Sequence, residues 1–280
     1  MAIKKAKRKR DNTVRPFLKW AGNKYRILDK IKVRLPQGKR LVEPFAGSGA
    51  VFLNTEYERY LLCDSNRDLI DLYTLLKDEG EEFIELAHSL FTEANNRPER
   101  YYALREEFNH CNERERRAAL FVYLNRHGYN GLCRYNAGGG FNVPFGRYKR
   151  PYFPAREMLA FHHKAQRARF RHQGFVTTIR QSRSGDVIYC DPPYVPLSPS
   201  ANFTGYSAGG FNLVQQEQLA SLSEKAAERG IPVLISNHNT AFAREIYHKA
   251  RLHRFFVQRN ISCDGKKRNK AGELLALYSP

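Results

Sequence analysis

The 280-residue sequence predicts an α/β fold, an open sheet of parallel strands with helices packed against it. Three observations carry this. Leu41-Val42-Glu43 reads as a strand, Pro44-Phe45-Ala46-Gly47-Ser48-Gly49 as a glycine-rich turn, Ala50 onward as a short helix, and Tyr60 to Asp64 as a second strand ending in an acid. Val187-Ile188-Tyr189-Cys190 is a run of β-formers stopped at Asp191-Pro192-Pro193-Tyr194, as suits a central strand ending in a rigid loop. Strand and helix patterns then alternate from Val187 onward.

The elements follow in order. The first ten residues carry six basic side chains and no apolar core, so the stretch over 1–14 reads as a disordered basic arm and not a secretory signal. Gly22 permits a turn after Trp20, and Lys24 opens a helical pattern carrying Ile27, Leu28 and Ile31. Trp20 by itself reads as core. Residues 66 to 126 are mostly helical in pattern, with Leu69, Leu72, Leu75, Leu76 and later Ala119, Leu120, Tyr123 and Leu124 as the apolar positions. Asn125 to Asn136 and Phe141 to Tyr152 interleave Arg, Asn and Tyr with Gly and read as loops. After the 187–190 strand come a Gly/Ser/Asn-rich loop at Ser198 to Gly210, a helix near Val214 to Glu228, and a strand at Pro232 to Ser236. A helix near Thr240 to Lys249 and strands at Leu252 to Val257 and Leu274 to Tyr278 complete the pattern. Lys266 to Lys270 reads as an exposed basic loop, and His238, after its strand, as structural.

The strand-end tetrapeptide suggests chemistry. Pro192 and Pro193 have no backbone N–H, so Asp191 and Tyr194 sit on a stiff loop at the carboxyl end of a strand, where open α/β sheets place ligands. The exocyclic amine of a nucleobase is a poor nucleophile, its lone pair being delocalised into the ring. A carboxylate and a backbone carbonyl can accept its hydrogens and steer that lone pair, while an aromatic ring stacks on the base. The 41–64 unit adds a turn at which glycines let the backbone approach a nucleotide-like ligand, and an acid about 20 residues on that suits ribose hydroxyls. The third glycine of the dinucleotide fingerprint is missing and no Walker lysine follows, which argues against a phosphate-cradling NTPase.

Composition points the same way. Lys and Arg number 47 against 28 Asp and Glu, a formal charge of +19 distributed along the chain, which favours a polyanionic partner over an anionic membrane surface. Basic and aromatic residues alternating through 125–152 suit phosphate neutralisation, base stacking and base-edge hydrogen bonding. Five cysteines (Cys63, Cys111, Cys133, Cys190, Cys263) without a Cys-x-x-Cys pair fit a reduced intracellular protein with no structural metal, and Cys63 and Cys190 read as buried strand residues. No run reaches transmembrane length.

Five ordered motifs, Lys19 to Lys24, Glu43 to Gly49, Leu124 to Asn136, Phe141 to Tyr148 and Asp191 to Tyr194, together resemble the Dam family of bacterial and phage DNA adenine methyltransferases, from about residue 15 onward. Their order is that of the alpha group of amino-methyltransferases. The resemblance implies a Rossmann-like S-adenosylmethionine-dependent methyltransferase sheet over 15–65 and 170–280, with a mainly helical DNA-recognition insertion over 66–169. It implies S-adenosyl-L-methionine as cofactor, bound by Trp20, Lys24, Glu43, Pro44, Phe45, Gly47, Gly49, Asp64 and Asp191, and a catalytic loop of Asp191, Pro192, Pro193 and Tyr194. Lys19, Arg126, Tyr129, Asn130, Leu132, Arg134, Pro144, Arg147 and Tyr148 are implied as contacts to double-stranded DNA. The implied reaction is methylation of the N6 of a flipped adenine in GATC, a mark tied to DNA replication and mismatch repair, by a cytoplasmic monomer with no metal, membrane or obligate protein partner. The sequence departs from the family at Asn23, where Gly is usual, at Asn239, where an acid is usual, and at Asn260, where Arg is common. The rival expectations are a non-catalytic DNA-binding protein on the same fold and a methyltransferase acting on RNA or a protein amide.

Overall fold

The structure is a computed structural model that describes residues 13–195, 211–258 and 270–280. A 3-10 turn at Lys24–Ile27 runs into α1 (Leu28–Lys32), then β1 (Arg40–Glu43), α2 (Ala50–Leu53) and β2 (Arg59–Asp64). Four helices follow, α3 (Arg67–Glu79), α4 (Glu81–Ser89), α5 (Pro98–His110) and α6 (Arg114–His127), then a 3-10 turn at Tyr129–Gly131 and α7 (Ala155–Ala165). The chain continues through β3 (Ala168–His172), α8 (Phe175–Arg180), β4 (Asp186–Cys190), α9 (Leu213–Glu228), β5 (Val233–His238), α10 (Ala241–Ile246), β6 (Arg251–Gln258) and β7 (Lys270–Tyr278). Among the described residues the strands form one sheet of order β3-β2-β1-β4-β5-β7-β6. β3 through β5 are parallel, and β7 is inserted antiparallel between β5 and β6.

The expected α/β open sheet is therefore present, and the strand pattern shows why it was readable. Leu41, Tyr60, Leu62, Val187 and Tyr189 point into one apolar cluster, whereas Val42, Leu61, Cys63, Ile188 and Cys190 point into another on the opposite face. Successive side chains alternate faces, so a strand covered on both sides must be apolar throughout. α3 through α7 supply the first cluster, and α8, α9 and α10 the second. Cys63 and Cys190 are buried strand residues, as expected.

The order of strands reverses between β1 and β4, which lie side by side although more than a hundred residues separate them. Such a reversal marks the usual ligand position of open α/β sheets, beyond the carboxyl ends of the two strands. The glycine-rich turn and Asp191 both lie there.

Two expectations need correcting. Asn125, Arg126 and His127 are not loop residues: they form the last turn of α6 and are buried. Polar residues can be buried here because their groups are satisfied internally, Asn125 by the Lys19 backbone, Arg126 by the Tyr152 carbonyl and His127 by the Tyr123 carbonyl. Trp20 is half-buried beside the glycine-rich turn, not enclosed in the core. β3 and α8 are present as well, beyond the elements the sequence pattern predicts. β3 is an edge strand of sequence Ala-Arg-Phe-Arg-His with only Ala168 buried, too polar to register as a strand. The Ser198 to Gly210 loop, Asn260 and nearly all of the Lys266 to Lys270 stretch lie outside the described residues, as does the basic arm up to residue 12. Val14, at the end of that arm, exchanges two hydrogen bonds with the Asn54 side chain.

Candidate active site

Asp191 follows directly from buried β4. Its Oδ1 lies 2.7 Å from Lys24 Nζ and accepts a hydrogen bond from Ser236 Oγ, on β5, at 3.0 Å. Burial pushes the Asp191 carboxyl up, and Lys24 and Ser236 pull it partly back. The same Lys24 ammonium sits 4.4 Å from the centre of the Tyr194 ring, and the Tyr194 and His238 rings lie nearly perpendicular with their centres 4.5 Å apart. The loop thus holds an amine cation between a carboxylate and an aromatic ring. Lys24 is only 7% exposed, so the pair is largely withdrawn from water.

Glu43 ends β1 beside this pair. It is 2% exposed, and its Oε1 has no hydrogen-bond partner among the described residues. Burial, and next the charge of Asp191, hold its carboxyl well above the usual range. An unsatisfied buried acceptor is costly, and at the strand reversal it suits a ligand's N–H or O–H. Asp64 ends β2 and is half-buried, with Oδ2 accepting from the Gly47 N–H at 3.1 Å and Oδ1 from the Asn66 N–H at 3.0 Å. Burial raises its carboxyl, opposed by the N–H groups of Asn66, Gly47 and Ser65.

The turn between β1 and α2 is shaped for close approach. Gly47 has φ +46, and a Cβ there would stand 3.2 Å from the Trp20 indole nitrogen. Tyr73, from α3, donates its hydroxyl to the Gly47 carbonyl and fixes the turn from behind. Phe45 stacks on Phe175 at 5.5 Å and meets Phe211 edge-on at 5.4 Å, forming an aromatic wall on the other side. Pro44 and Gly49 complete the turn, Gly49 with φ +69.

A second group of expected residues gathers around the 3-10 turn after α6. The Lys19 ammonium lies 4.1 Å from the centre of the Tyr148 ring, whose hydroxyl accepts from the Asn130 N–H at 3.0 Å. Burial, then Arg126, lowers the Lys19 pKa. The Lys19 stem runs against Gly131, where a Cβ would come within 2.2 Å of it and where φ is +62. Asn130 and Arg147 also take positive φ, 53 and 54, a strained geometry for non-glycine residues that needs outside support. The Tyr129 N–H to Pro144 carbonyl bond and the Gly146 N–H to His127 carbonyl bond, both 2.8 Å, supply it. Tyr129, Asn130, Pro144 and Arg147 are exposed, while Leu132, Arg134 and Tyr148 are half-buried. Arg134 donates Nε to Asn142 Oδ1 at 2.7 Å. Arg126 differs from the rest: it is 9% exposed and its Nε is bound to the Tyr152 carbonyl, an arrangement that braces the loop.

The segment Lys19 to Lys24 ties these groups together. Within six residues it touches Tyr148 through Lys19, the glycine-rich turn through Trp20, and Asp191 through Lys24. Asn125, buried in α6, anchors the segment by exchanging two hydrogen bonds with the Lys19 backbone, at 2.9 and 2.8 Å. Ser236, Asn125, Tyr73 and the buried pair Gln216 and Asn237 were missed from the sequence. Ser236 and Asn237 carried a usable signal, polar residues at the carboxyl end of a strand next to β4. Asn125, Tyr73 and Gln216 sit inside helices and carried none. Of the departures, Asn23 caps the 3-10 turn by accepting from the Tyr25 N–H at 2.8 Å, and Asn239 accepts from Arg244 at 2.9 Å.

Comparison with known proteins places this site in context. The family model described as D12 class N6 adenine-specific DNA methyltransferase matches residues 20–261. The DNA adenine methylases of Salmonella typhi and of Escherichia coli (strain K12) are each 54% identical to the chain over 266 residues, spanning 95% of it and 96% of their own length. The Vibrio cholerae serotype O1 (strain ATCC 39315) DNA adenine methylase is 52% identical over 267 residues, spanning 95% of the chain and 96% of its own length.

Proposed function

The chain belongs to the D12 class of N6 adenine-specific DNA methyltransferases, and from that premise we propose that it methylates the N6 of an adenine flipped out of GATC duplex DNA, with S-adenosyl-L-methionine as donor. The observation that carries this reading is the Lys24 ammonium held between Asp191 and Tyr194 at the sheet reversal. A target adenine offers N–H groups for the carboxylate and a flat face for the ring.

The residues present fit the donor. The orphaned Glu43 oxygen suits one of its amine or hydroxyl hydrogens. Asp64 suits its ribose, and Trp20, Phe45, Pro44, Gly47 and Gly49 would line it, with Lys24 close by. When bound, S-adenosyl-L-methionine supplies an electrophilic methyl group on a sulfonium.

The chain's own work is positioning. Among the described residues no hydrogen bond reaches Asp191 Oδ2, both of its bonds falling on Oδ1. Oδ2 is the acceptor for one N6 hydrogen, and the Pro192 carbonyl for the other. Accepting both aims the nitrogen lone pair away from the ring plane, and Tyr194 stacks on the base to hold it there. The Lys24 charge favours the ionised form of Asp191, against the upward push of burial. The amine is out of reach inside a stacked duplex, so the base must be extruded, at a cost of a few kcal/mol offset by the contacts made outside the helix.

Residues 66 to 169 are the recognition insertion in this reading. Lys19, Arg147 and Tyr148 neutralise or hydrogen-bond the backbone, Tyr129, Asn130, Leu132 and Pro144 contact the bases, and Arg134, held by Asn142, reads a guanine. Arg126 acts through the loop it braces. Arg134→Ala should cost about 1–3 kcal/mol of discrimination at one base pair, measured as the ratio of kcat/KM on matched and mismatched duplexes. The enzyme acts as a monomer in the bacterial cytoplasm, on chromosomal or phage DNA.

The test is transfer of labelled methyl from S-adenosyl-L-methionine to duplexes with and without GATC, to RNA and to protein. Label confined to adenine of the GATC duplex is the expected result. Label in RNA or protein, or equal label in a duplex lacking GATC, would overturn the assignment.

A further inference from the structure

Behind the Asp191 to Tyr194 loop lies a set of buried polar side chains that the scheme above leaves without a role. Gln216, on α9, is 1% exposed and Asn237, on β5, is 0% exposed. Gln216 Nε2 donates to the Pro193 carbonyl at 2.7 Å. Its Oε1 accepts from Asn237 Nδ2 at 3.0 Å and from the Tyr247 hydroxyl at 3.1 Å. Asn237 Oδ1 accepts from the Val195 N–H at 3.1 Å. His238 Nδ1 completes the set by donating to the Val195 carbonyl at 2.8 Å.

The chemistry forces the orientation of both amides. A carbonyl can only accept, so Gln216 must turn its NH2 to Pro193 and its oxygen to Asn237. Asn237 must then offer its NH2 to Gln216, which leaves its own oxygen for Val195. A buried network with every member satisfied specifies one geometry, whereas one left half-satisfied costs stability.

Pro192 and Pro193 bring no N–H, so the backbone of these two residues can be held by hydrogen bonds only through its carbonyls. The Pro193 carbonyl and both polar backbone atoms of Val195 are anchored in this way. The Pro192 carbonyl accepts no hydrogen bond among the described residues. We propose that Gln216 and Asn237 are positioning residues for methyl transfer: their paired amides fix the second proline's carbonyl and the Val195 amide, and so reserve the Pro192 carbonyl as the acceptor for the target amine. The proposal rests on Asp191 to Tyr194 being the catalytic loop.

Two variants of the full chain test it, assayed with labelled S-adenosyl-L-methionine and a GATC duplex. Gln216→Met keeps the length of the side chain and removes the donor. It should lower kcat about 10- to 100-fold, the scale of a displacement near 1 Å at the reacting group, with KM for both substrates nearly unchanged. Gln216→Glu gives a readout that packing alone would not move. Its protonated carboxyl can donate to the Pro193 carbonyl and its carboxylate cannot, so the ratio of its kcat to the wild-type kcat should fall as pH rises. A folded Gln216→Met enzyme with wild-type kcat would overturn the proposal, and so would a Gln216→Glu ratio independent of pH. The second result decides the matter if Gln216→Met fails to fold. Wild-type enzyme on the same duplex is the control: no transfer there would sink the assigned reaction, whereas active wild type beside unaffected variants would sink only the role given to Gln216.

Discussion

β1 and β4 lie side by side, and the two ends of the pair hold their carboxyls under opposite conditions. At the amino end Asp186 accepts from Arg40 Nε and Nη2 at 2.8 and 2.6 Å and from the Arg183 N–H at 2.9 Å. At the carboxyl end Glu43 has an oxygen with no partner, and Asp191 takes both of its bonds on one oxygen. Burial pushes both of these carboxyls up. A satisfied acid holds two strands together, whereas acids kept short of partners are ready for a ligand. The two ends should therefore respond differently to substitution, stability changing at one and turnover at the other.

The largest effect on stability is expected at the amino end. Arg40→Met leaves Asp186 buried with one donor and should cost about 2–3 kcal/mol, less than a fully buried ion pair because Arg40 is partly open to water. Urea unfolding measures this, and turnover per folded molecule should be unchanged. A loss of turnover without a loss of stability would break the comparison.

Lys24→Met sharpens it at the other end. Lys24 lowers a carboxyl that burial raises, so its removal should move the acid limb of the kcat profile to higher pH. A limb that stays in place would separate Asp191 from the titration that controls turnover.

The smallest effect is that of Glu43→Gln. The folded-state pKa of Glu43 is raised, so the folded state binds the proton more tightly than the unfolded chain. Its contribution to stability is full below the unfolded pKa and is lost as pH rises through the folded one. The Gln variant lacks that fall, so its melting temperature relative to wild type should increase with pH, while donor affinity weakens. A difference in melting temperature that does not change with pH would show that Glu43 does not titrate in the folded protein.

Much of this frame was legible in the sequence, for physical reasons. β4 could be read because a strand buried on both faces has to be apolar, and the break at Asp191-Pro192-Pro193-Tyr194 is unmistakable once the run before it is seen. The glycine-rich turn was equally plain, since Gly47 and Gly49 both take positive φ. Partnerships across long separations were not legible. Asn125 looked like loop because nothing near it in sequence shows that it binds the Lys19 backbone 106 residues away. Gln216 has the look of any polar helix residue, although its partners are the Pro193 carbonyl and Asn237. Trp20 seemed core because an isolated Trp usually is, and only the folded chain brings it to Gly47.

The comparison is tested most directly by two substitutions five residues apart in sequence, Asp186→Ala and Asp191→Ala, followed in single-turnover methyl transfer to a GATC duplex. Asp191→Ala should retain the duplex yet lose about 100-fold or more in rate per folded molecule, while Asp186→Ala should melt lower and transfer at the wild-type rate. Wild-type transfer by the Asp191 variant would contradict the account.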